Sequence, residues 1–275
     1  MLINANTKIC LLIGDPVDKS LSPILHNNGY RILGKENEFV YLACRVKPEH
    51  LKQAVDGIRA LGIAGASVTI PHKVKILDYL DHIDAEAEQI GAVNTLYWKE
   101  KKLTGTNTDW LGVLNPLSRL IDLKNKTAAL VGAGGAARAA CYAFKVAGVK
   151  FAIFNRTVEK VQKLAEEFGA EAETSGNFQK LESFDIVVNS VPYSEKQPPF
   201  SADMLRKNQI FFDMIYAPHR TALIKQASAK GLRVIHGVEM LLEQGIEQFR
   251  LFTQIEAPYA EIREALLNYV EINNL

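Results

Sequence analysis

The sequence has few cysteines, almost no net charge and no long apolar run. Cys10, Cys44 and Cys141 are too few and too scattered for a disulfide framework or a CxxC metal site, and because each lies in an apolar run we expect buried, reduced thiols. Thirty-two Lys and Arg residues balance thirty-one Asp and Glu residues, which argues against nucleic-acid or membrane-surface binding. No apolar run approaches the ~18 residues of a membrane helix, and the N-terminus lacks the regions of a signal peptide. These absences predict a soluble, cytoplasmic protein without a bound metal.

The pattern along the chain is typical of the α/β class. Its 275 residues, 48% of them hydrophobic, suffice for one large domain or two small ones at about 150 residues each. Short apolar runs alternate with longer segments of helical period. Strands are predicted at 8–13, 39–44, 66–70, 93–98, 103–106, 127–131, 151–154, 185–189, 210–214 and 234–236. Helices are predicted at 22–34, 48–61, 74–80, 85–90, 109–120, 136–147, 158–168, 221–230, 238–253 and 258–269.

The same pattern predicts two domains. The first covers residues 1–108, begins with an α/β segment and contains a hairpin with a charged turn at 99–102. The second covers residues 109–237, where single helices separate the strands. Because such crossovers are right-handed, these strands are predicted to form a parallel, doubly wound sheet of the Rossmann-like kind.

A glycine-rich turn joins the strand at 127–131 to the helix that follows it. Glycines at such a turn let the backbone approach a pyrophosphate, whose charge is met by the N-terminus of the helix. An ordinary tight turn packed against the sheet is the alternative, but the position inside a strand–helix–strand unit favours a dinucleotide site. The turn consists of Gly132, Ala133, Gly134, Gly135 and Ala136.

The end of the next strand favours NADP over NAD. An NAD site usually has an acidic residue there, which binds the ribose 2′-hydroxyl. Here the strand ends in Asn155, Arg156 and Thr157, and Lys160 follows one helical turn later. Arg156 and Lys160 could be solvated charges, but cations are unfavourable at a helix N-terminus, so an anionic 2′-phosphate is the better explanation.

Polar residues cluster at two places early in the first domain. Ser20 and Ser22 lie where a loop meets a helix, and Ser22 is predicted either to cap that helix or to bind a carboxylate. Ser67 and Thr69 point to one face of a strand, and Lys73 follows the end of that strand, where sites in α/β proteins usually lie. A surface position for Lys73 is the alternative.

Two further clusters complete a possible reduction site. Asn94 enters an otherwise apolar strand, and Asp109 lies at the junction of the two domains, where it could cap a helix or bind a substrate. Reduction of a ketone takes a hydride from the cofactor and a proton from a nearby acid. A lysine such as Lys73 can donate that proton, and a carboxylate such as Asp109 can orient it and favour its charged form.

Eight motifs, in order along the chain, resemble those of the shikimate dehydrogenases. They run from Lys8 to the last helix. They are SLSP at 20–23, SVTIPHK at 67–73, GAVNT at 91–95, NTDW at 107–110, GAGGAA at 132–137, NRT at 155–157, DMIY at 213–216 and the glutamine of MLLEQ at 244.

The resemblance implies a two-domain enzyme that reversibly reduces 3-dehydroshikimate to shikimate with NADPH, in the chorismate pathway to aromatic amino acids. It implies that Lys73 and Asp109 are the catalytic pair, and that the helices within 238–275 complete the substrate domain. The implied substrate ligands, besides Asp109, are Ser20, Ser22, Ser67, Thr69, Asn94, Tyr216 and Gln244. The implied cofactor ligands are Gly132, Ala133, Gly134, Gly135, Ala136, Asn155, Arg156, Thr157, Lys160, Met214 and Gly237. A monomer or homodimer is expected.

Some positions depart from the family pattern. Ser67 stands where many members carry asparagine, which leaves room for use of quinate. Residues 189–193 replace a small, glycine-rich loop near the cofactor, and Glu239 replaces a common glycine. The competing predictions are a quinate/shikimate dehydrogenase that prefers NAD and a catalytically silent NADP sensor; Arg156 argues against the first, and the presence of both Lys73 and Asp109 against the second. Enzymes resembling methylenetetrahydrofolate dehydrogenase or glutamyl-tRNA reductase share the general plan, but the SLSP and NTDW placements suit neither.

Overall fold

The computed structural model describes residues 3–194 and 197–273, so the outermost residues of the predicted domains lie outside it. The chain divides into two compact units. The first unit comprises the chain up to Thr108 together with Leu241–Tyr269, and the second comprises Asp109–Met240 with the residues from Val270 onwards. Each unit contains one six-stranded sheet.

The first unit is a mixed sheet with helices. The strands are β1 (Lys8–Gly14), β2 (Phe39–Arg45), β3 (Gly65–Val68), β4 (His82–Ile83), β5 (Thr95–Lys99) and β6 (Lys102–Thr106). Its sheet has the order β2-β1-β3-β5-β6-β4, in which β1, β2 and β3 are parallel and β5 runs antiparallel to β3 and β6. The helices are α1 (Ser22–Ile32), α2 (Leu51–Ala60) and α3 (Ala85–Ile90), with short 3-10 helices at Pro48–His50 and Lys75–Tyr79.

The predicted hairpin is present. Lys99 pairs with Lys102, and Glu100 and Lys101 between them have φ angles of 50° and 63°. Positive φ at both central residues gives the two-residue turn whose twist matches that of paired strands.

The second unit is a fully parallel, doubly wound sheet, as predicted. Its order is β12-β11-β10-β7-β8-β9, so the chain reverses its direction of winding at β7. The strands are β7 (Thr127–Val131), β8 (Lys150–Asn155), β9 (Glu171–Thr174), β10 (Ile186–Asn189), β11 (Ile210–Asp213) and β12 (Arg233–Ile235). The helices are α4 (Asp109–Leu120), α5 (Gly135–Val146), α6 (Val158–Phe168) and α7 (Ala222–Ala229), with 3-10 helices at Ser175–Ser183 and Ala202–Met204.

Two long helices end the described chain, α8 (Gly237–Thr253) and α9 (Tyr259–Ile272). Most of α8 belongs to the first unit, where Phe249 and Phe252 pack with Tyr30 and Tyr41 in the core. Residues late in the sequence therefore contribute to the first unit.

Several local predictions were wrong. Ser22 does not cap α1; Leu21 is the cap residue, without a side-chain hydrogen bond, and Ser22 is already the first helical residue. The third strand ends at Val68, so Thr69 lies just beyond it and not within it. Cys44 is partly exposed, because it lies on the edge strand β2, whereas Cys10 and Cys141 are buried as expected.

Candidate functional site

A network of buried amides and hydroxyls surrounds Asn94 in the first unit. Asn94 donates to the hydroxyl of Thr108 at 3.0 Å, and its Oδ1 accepts from the Thr108 backbone N–H at 2.8 Å and from the Thr95 hydroxyl at 2.6 Å. Gln244 approaches Asn94 Nδ2 with its Oε1 at 3.5 Å, and its own Nε2 donates to Leu241 O. Hydrogen bonds on both sides hold the Asn94 amide in one orientation.

Ser67 is part of this network through residues that the sequence did not indicate. Its hydroxyl accepts a hydrogen bond from Tyr41 at 2.7 Å and donates one to Gln248 Oε1 at 2.7 Å. Gln248 Nε2 in turn donates to Thr95 Oγ1 at 2.9 Å. Since a serine hydroxyl has a single proton, the proton of Ser67 is already engaged with Gln248.

A buried histidine supports Tyr41 from the other side. The ring of His26 stacks on that of Tyr41 with centroids 4.2 Å apart. Burial lowers the pKa of His26 to about 3, against a smaller opposing effect of the nearby Gln248 side chain. The imidazole is therefore neutral at physiological pH and serves as a packing element beneath the network.

The other predicted residues of the first unit follow β1 or β3 along the chain. Ser20 donates to Ser22 Oγ at 3.3 Å. The Thr69 N–H donates to Ile13 O at 2.9 Å, and the methyl group of Thr69 packs so closely on Gly14 that a Cβ there would overlap it. Lys73 is half-buried, and its carbonyl accepts from the N–H of Val93, which fixes the Lys73 backbone beside Asn94.

The glycine turn of the second unit has the geometry of a close approach. Gly132 has a φ of 118°, which side-chain-bearing residues rarely adopt, and a Cβ there would overlap the Ser190 hydroxyl. Gly134 is the cap residue of α5 and Gly135 its first residue, with Ala133 and Ala136 on either side. The turn thus exposes backbone N–H groups at the N-terminus of a 12-residue helix, and this cradle fits a pyrophosphate.

Two cations lie beside the end of β8. Asn155 ends the strand and Thr157 is the cap residue of α6. Arg156 is exposed between these two residues, and Lys160 is exposed in the first turn of α6. Within residues 3–194 and 197–273, neither cation forms an ion pair. This arrangement fits a phosphate outside the strand end.

The remaining predicted residues of the second unit follow β11 or begin helices. Gly237, at the start of α8, packs so closely on the backbone of Met214 and Ile215 that a Cβ would overlap the Ile215 carbonyl. Tyr216 is half-buried, and Asp109 is the buried first residue of α4.

Two kinds of feature are absent from the described residues. No group of three or more His, Cys, Asp or Glu side chains there could hold a metal ion. None of the helices in that part of the chain is both long and apolar enough to span a membrane.

Models of three protein domains match the chain in succession. The shikimate dehydrogenase substrate-binding domain matches residues 12–96, the shikimate/quinate 5-dehydrogenase model matches residues 117–214, and the shikimate 5′-dehydrogenase C-terminal domain matches residues 237–267.

Individual relatives match over almost their full length. A shikimate dehydrogenase (NADP(+)) of Methanocaldococcus jannaschii is 40% identical over 98% of this chain and 99% of its own. The crystal structure of the Aquifex aeolicus shikimate dehydrogenase superposes with a TM-score of 0.90 at 39% identity, covering 96% of this chain and 99% of that one. The Thermus thermophilus enzyme, solved with NADP(H) and shikimate, superposes with a TM-score of 0.87 at 33% identity, covering 95% and 99%. The chain belongs to the shikimate dehydrogenase family.

Proposed function

We propose that this protein catalyses the reversible, NADPH-dependent reduction of 3-dehydroshikimate to shikimate, a step of the chorismate pathway to aromatic amino acids. The observation that carries the proposal is the full-length similarity to shikimate dehydrogenases (NADP(+)), of which the M. jannaschii enzyme is one. The first unit, with its buried network around Asn94, is assigned to the substrate, and the second unit, with its glycine turn, is assigned to NADP.

Different residues of the first unit are assigned to different groups of a small hydroxylated acid. Ser20 and Ser22, close to each other at the start of α1, are assigned to its carboxylate. Asn94 and Gln244 are assigned to its ring hydroxyls, as are Thr69 and the second unit's Tyr216. Thr108 and Thr95 hold the amide of Asn94 from both sides, so its orientation is fixed by the protein.

The proposed chemistry assigns the proton to Lys73. Bound NADPH supplies the hydride that adds to the carbonyl carbon. Lys73 donates the proton that the resulting alkoxide oxygen takes up, and the neutral amine is protonated again from solvent. Asp109 is assigned to a substrate hydroxyl and completes the proposed catalytic pair with Lys73. In the reverse direction Lys73 accepts the proton.

The cofactor is assigned to groups along the carboxyl ends of the parallel strands. The cradle at Gly132, which a Cβ would fill, and the N-terminus of α5 bind the pyrophosphate. The 2′-phosphate is assigned to Asn155, Arg156, Thr157 and Lys160. The guanidinium of Arg156 would provide it with a planar pair of donors. Met214 and Gly237 line the nicotinamide side.

Initial rates of oxidation of shikimate and of quinate, each with NADP and with NAD, test the proposal. We expect kcat/KM for shikimate with NADP to exceed each other combination by roughly tenfold or more, the discrimination that one well-placed hydrogen bond or charge provides. Comparable turnover of quinate would make the protein a broader quinate/shikimate dehydrogenase. It would also indicate that Ser67, in place of the common asparagine, permits the use of quinate. No turnover with any pair would refute the enzymatic assignment.

Replacement of Lys73 tests the catalytic role. Lys73→Ala is expected to lower kcat on the order of 100-fold or more, because a positioned acid contributes that much. Lys75→Ala is the matched control, since Lys75 is exposed, pairs with Asp78 at 2.6 Å and lies only two positions away. Retained turnover in folded Lys73→Ala protein would contradict the role.

The cytoplasmic location and the choice between monomer and homodimer stay predictions.

A further inference from the structure

Asp213, the first residue of the DMIY motif, is a buried carboxylate to which the sequence assigned no role. It ends β11, is 0% exposed and accepts three hydrogen bonds from neutral groups. Asn189 Nδ2 and the Ile215 N–H donate to Oδ1 at 3.0 Å and 3.3 Å, and the Thr221 hydroxyl donates to Oδ2 at 2.7 Å. Burial raises the pKa of Asp213, and these hydrogen bonds oppose the rise. Because burial of a carboxylate costs free energy, we expect Asp213 to have a specific role.

The carboxylate joins the exits of two neighbouring strands. Asn189 is the last residue of β10 and lies opposite Asp213 in the sheet register. The Oδ1 of Asn189 accepts from the Val191 N–H at 3.1 Å, so the side chain that donates to Asp213 also shapes the first turn of the loop after β10. Thr221, on the far side of Asp213, caps α7 by accepting from the Ile224 N–H at 3.2 Å. One side chain thus fixes the loops that leave β10 and β11.

Close backbone packing holds the same two loops. Ser190 donates to Val131 O at 2.9 Å and lies against Gly132, at the glycine turn itself. Gly237 lies against Met214 and Ile215, with Met214 O only 2.6 Å from where its Cβ would be. The loops after β10 and β11 therefore form a continuous platform with the glycine turn after β7.

The order of the strands shows which half of the cofactor this platform faces. Ligands of doubly wound sheets bind outside the carboxyl ends of the strands, at the point where the winding reverses. The cations for the 2′-phosphate follow β8, and the pyrophosphate cradle follows β7. Since the order is β8-β7-β10-β11, a dinucleotide that passes from β8 to β7 continues over β10 and β11 with its nicotinamide half.

We propose that Asp213 is a positioning residue for the nicotinamide half of NADP, acting through the loops at Asn189–Val191 and Met214–Tyr216. The inference rests on the proposed function, because it assumes that the second unit binds NADP. It assigns the adenine half to other residues, those after β7 and β8. Loss of the carboxylate should therefore affect the two halves of the cofactor unequally.

Binding measurements on each half of the cofactor test this directly. For Asp213→Ala we expect the Kd of NADPH, followed by its fluorescence, to rise roughly tenfold or more, the effect of one or two lost hydrogen bonds. The Kd of adenosine 2′,5′-bisphosphate, followed by calorimetry, should change by less than about twofold, because this ligand lacks the nicotinamide half. Asp213→Asn keeps an oxygen for Asn189 and Ile215 and should recover most of the NADPH affinity.

Two further variants complete the experiment. Asn189→Ala removes the partner instead of the carboxylate, should show the same unequal effect, and decides the matter if Asp213→Ala fails to fold. Asp185→Ala is the matched control, because Asp185 also joins β10 to β7, accepting from the Thr127 N–H at 3.0 Å, but just before β10 begins, at the opposite edge of the sheet. It should leave both Kd values unchanged.

The outcomes separate the inference from the proposed function. Equal weakening of both ligands, or weakening of neither, in the folded variants would overturn the role of Asp213. Failure of the unaltered protein to bind adenosine 2′,5′-bisphosphate and NADPH would refute NADP binding itself, and the inference with it.

Discussion

Reversing the charge of Arg156 tests the choice between NADPH and NADH. Arg156 is exposed beside the end of β8, and the described residues form no ion pair with it. Its replacement therefore breaks no ion pair within the described part of the chain. An acidic residue before the N-terminus of α6 interacts favourably with the helix dipole, so Arg156→Asp should not lower the melting temperature. A change in cofactor affinity can then be attributed to the missing guanidinium.

The expected magnitude follows from the exposure of the site. A hydrogen bond between charged partners contributes about 1.5–3 kcal/mol, and exposure to solvent reduces this to about 1–2 kcal/mol. The new carboxylate adds repulsion of up to about 1 kcal/mol against the 2′-phosphate in a watery environment. At 1.4 kcal/mol per factor of ten, the sum of about 1–3 kcal/mol predicts a rise of roughly 5- to 140-fold in the KM of NADPH. NADH has a hydroxyl at that position and should be affected by less than about threefold.

The assay compares the KM of NADPH and NADH for the unaltered protein and the variant, at low and high salt. Lys163→Asp is the matched control, because Lys163 is exposed in α6 about one turn beyond Lys160 and its reversal changes the net charge equally. The effect of Arg156→Asp should shrink at high salt, since exposed charges are screened. An equal change for both cofactors, or an equal effect of Lys163→Asp, would refute the role in binding the 2′-phosphate.

Three further substitutions test the packing and the titration. Gly237→Ala places a Cβ on the Ile215 carbonyl, and the backbone there cannot move without cost. We therefore expect the free energy of unfolding, measured with urea, to fall by about 1–3 kcal/mol. An unchanged urea midpoint would contradict so close an approach of the two backbones. Ser67→Ala removes one hydrogen-bond partner from Gln248 Oε1 and one from the Tyr41 hydroxyl. The free energy of unfolding should fall by about 1–3 kcal/mol in the same measurement. An unchanged free energy would mean that the two side chains find other partners. The pKa of His26 is lowered in the folded state to about 3, so the unfolded chain binds the extra proton and stability falls as the pH drops below the ordinary value of 6.5. The free energy of unfolding should fall by about 3 kcal/mol between neutral pH and pH 4 because of His26, and His26→Phe should remove this contribution. Parallel pH profiles of stability for the two proteins would contradict a buried neutral imidazole.

Local signals in the sequence were sufficient for most of the second unit. The helix at Asp109–Leu120, the strand at Thr127–Val131 and the helix at Val158–Phe168 have the predicted bounds, because apolar periodicity and the residues at their ends agree. The strand at Glu171–Thr174 was missed. It is polar and partly or fully exposed at the edge of the sheet, so it has no apolar pattern, and its pairing with β8 alone defines it.

The sequence by itself determined the elements whose chemistry is local. The glycine turn after β7 and the cations after β8 are recognisable because the residues that act together are neighbours in the chain. The tertiary structure alone decided the partners of Ser67, since Tyr41 and Gln248 lie 26 and 181 positions away. It likewise decided the role of Asp213, whose partner Asn189 is 24 positions earlier and adjacent only through the pairing of β10 with β11. A hydrogen bond needs its two atoms within about 3 Å, and only the completed sheet brings such distant residues to that distance.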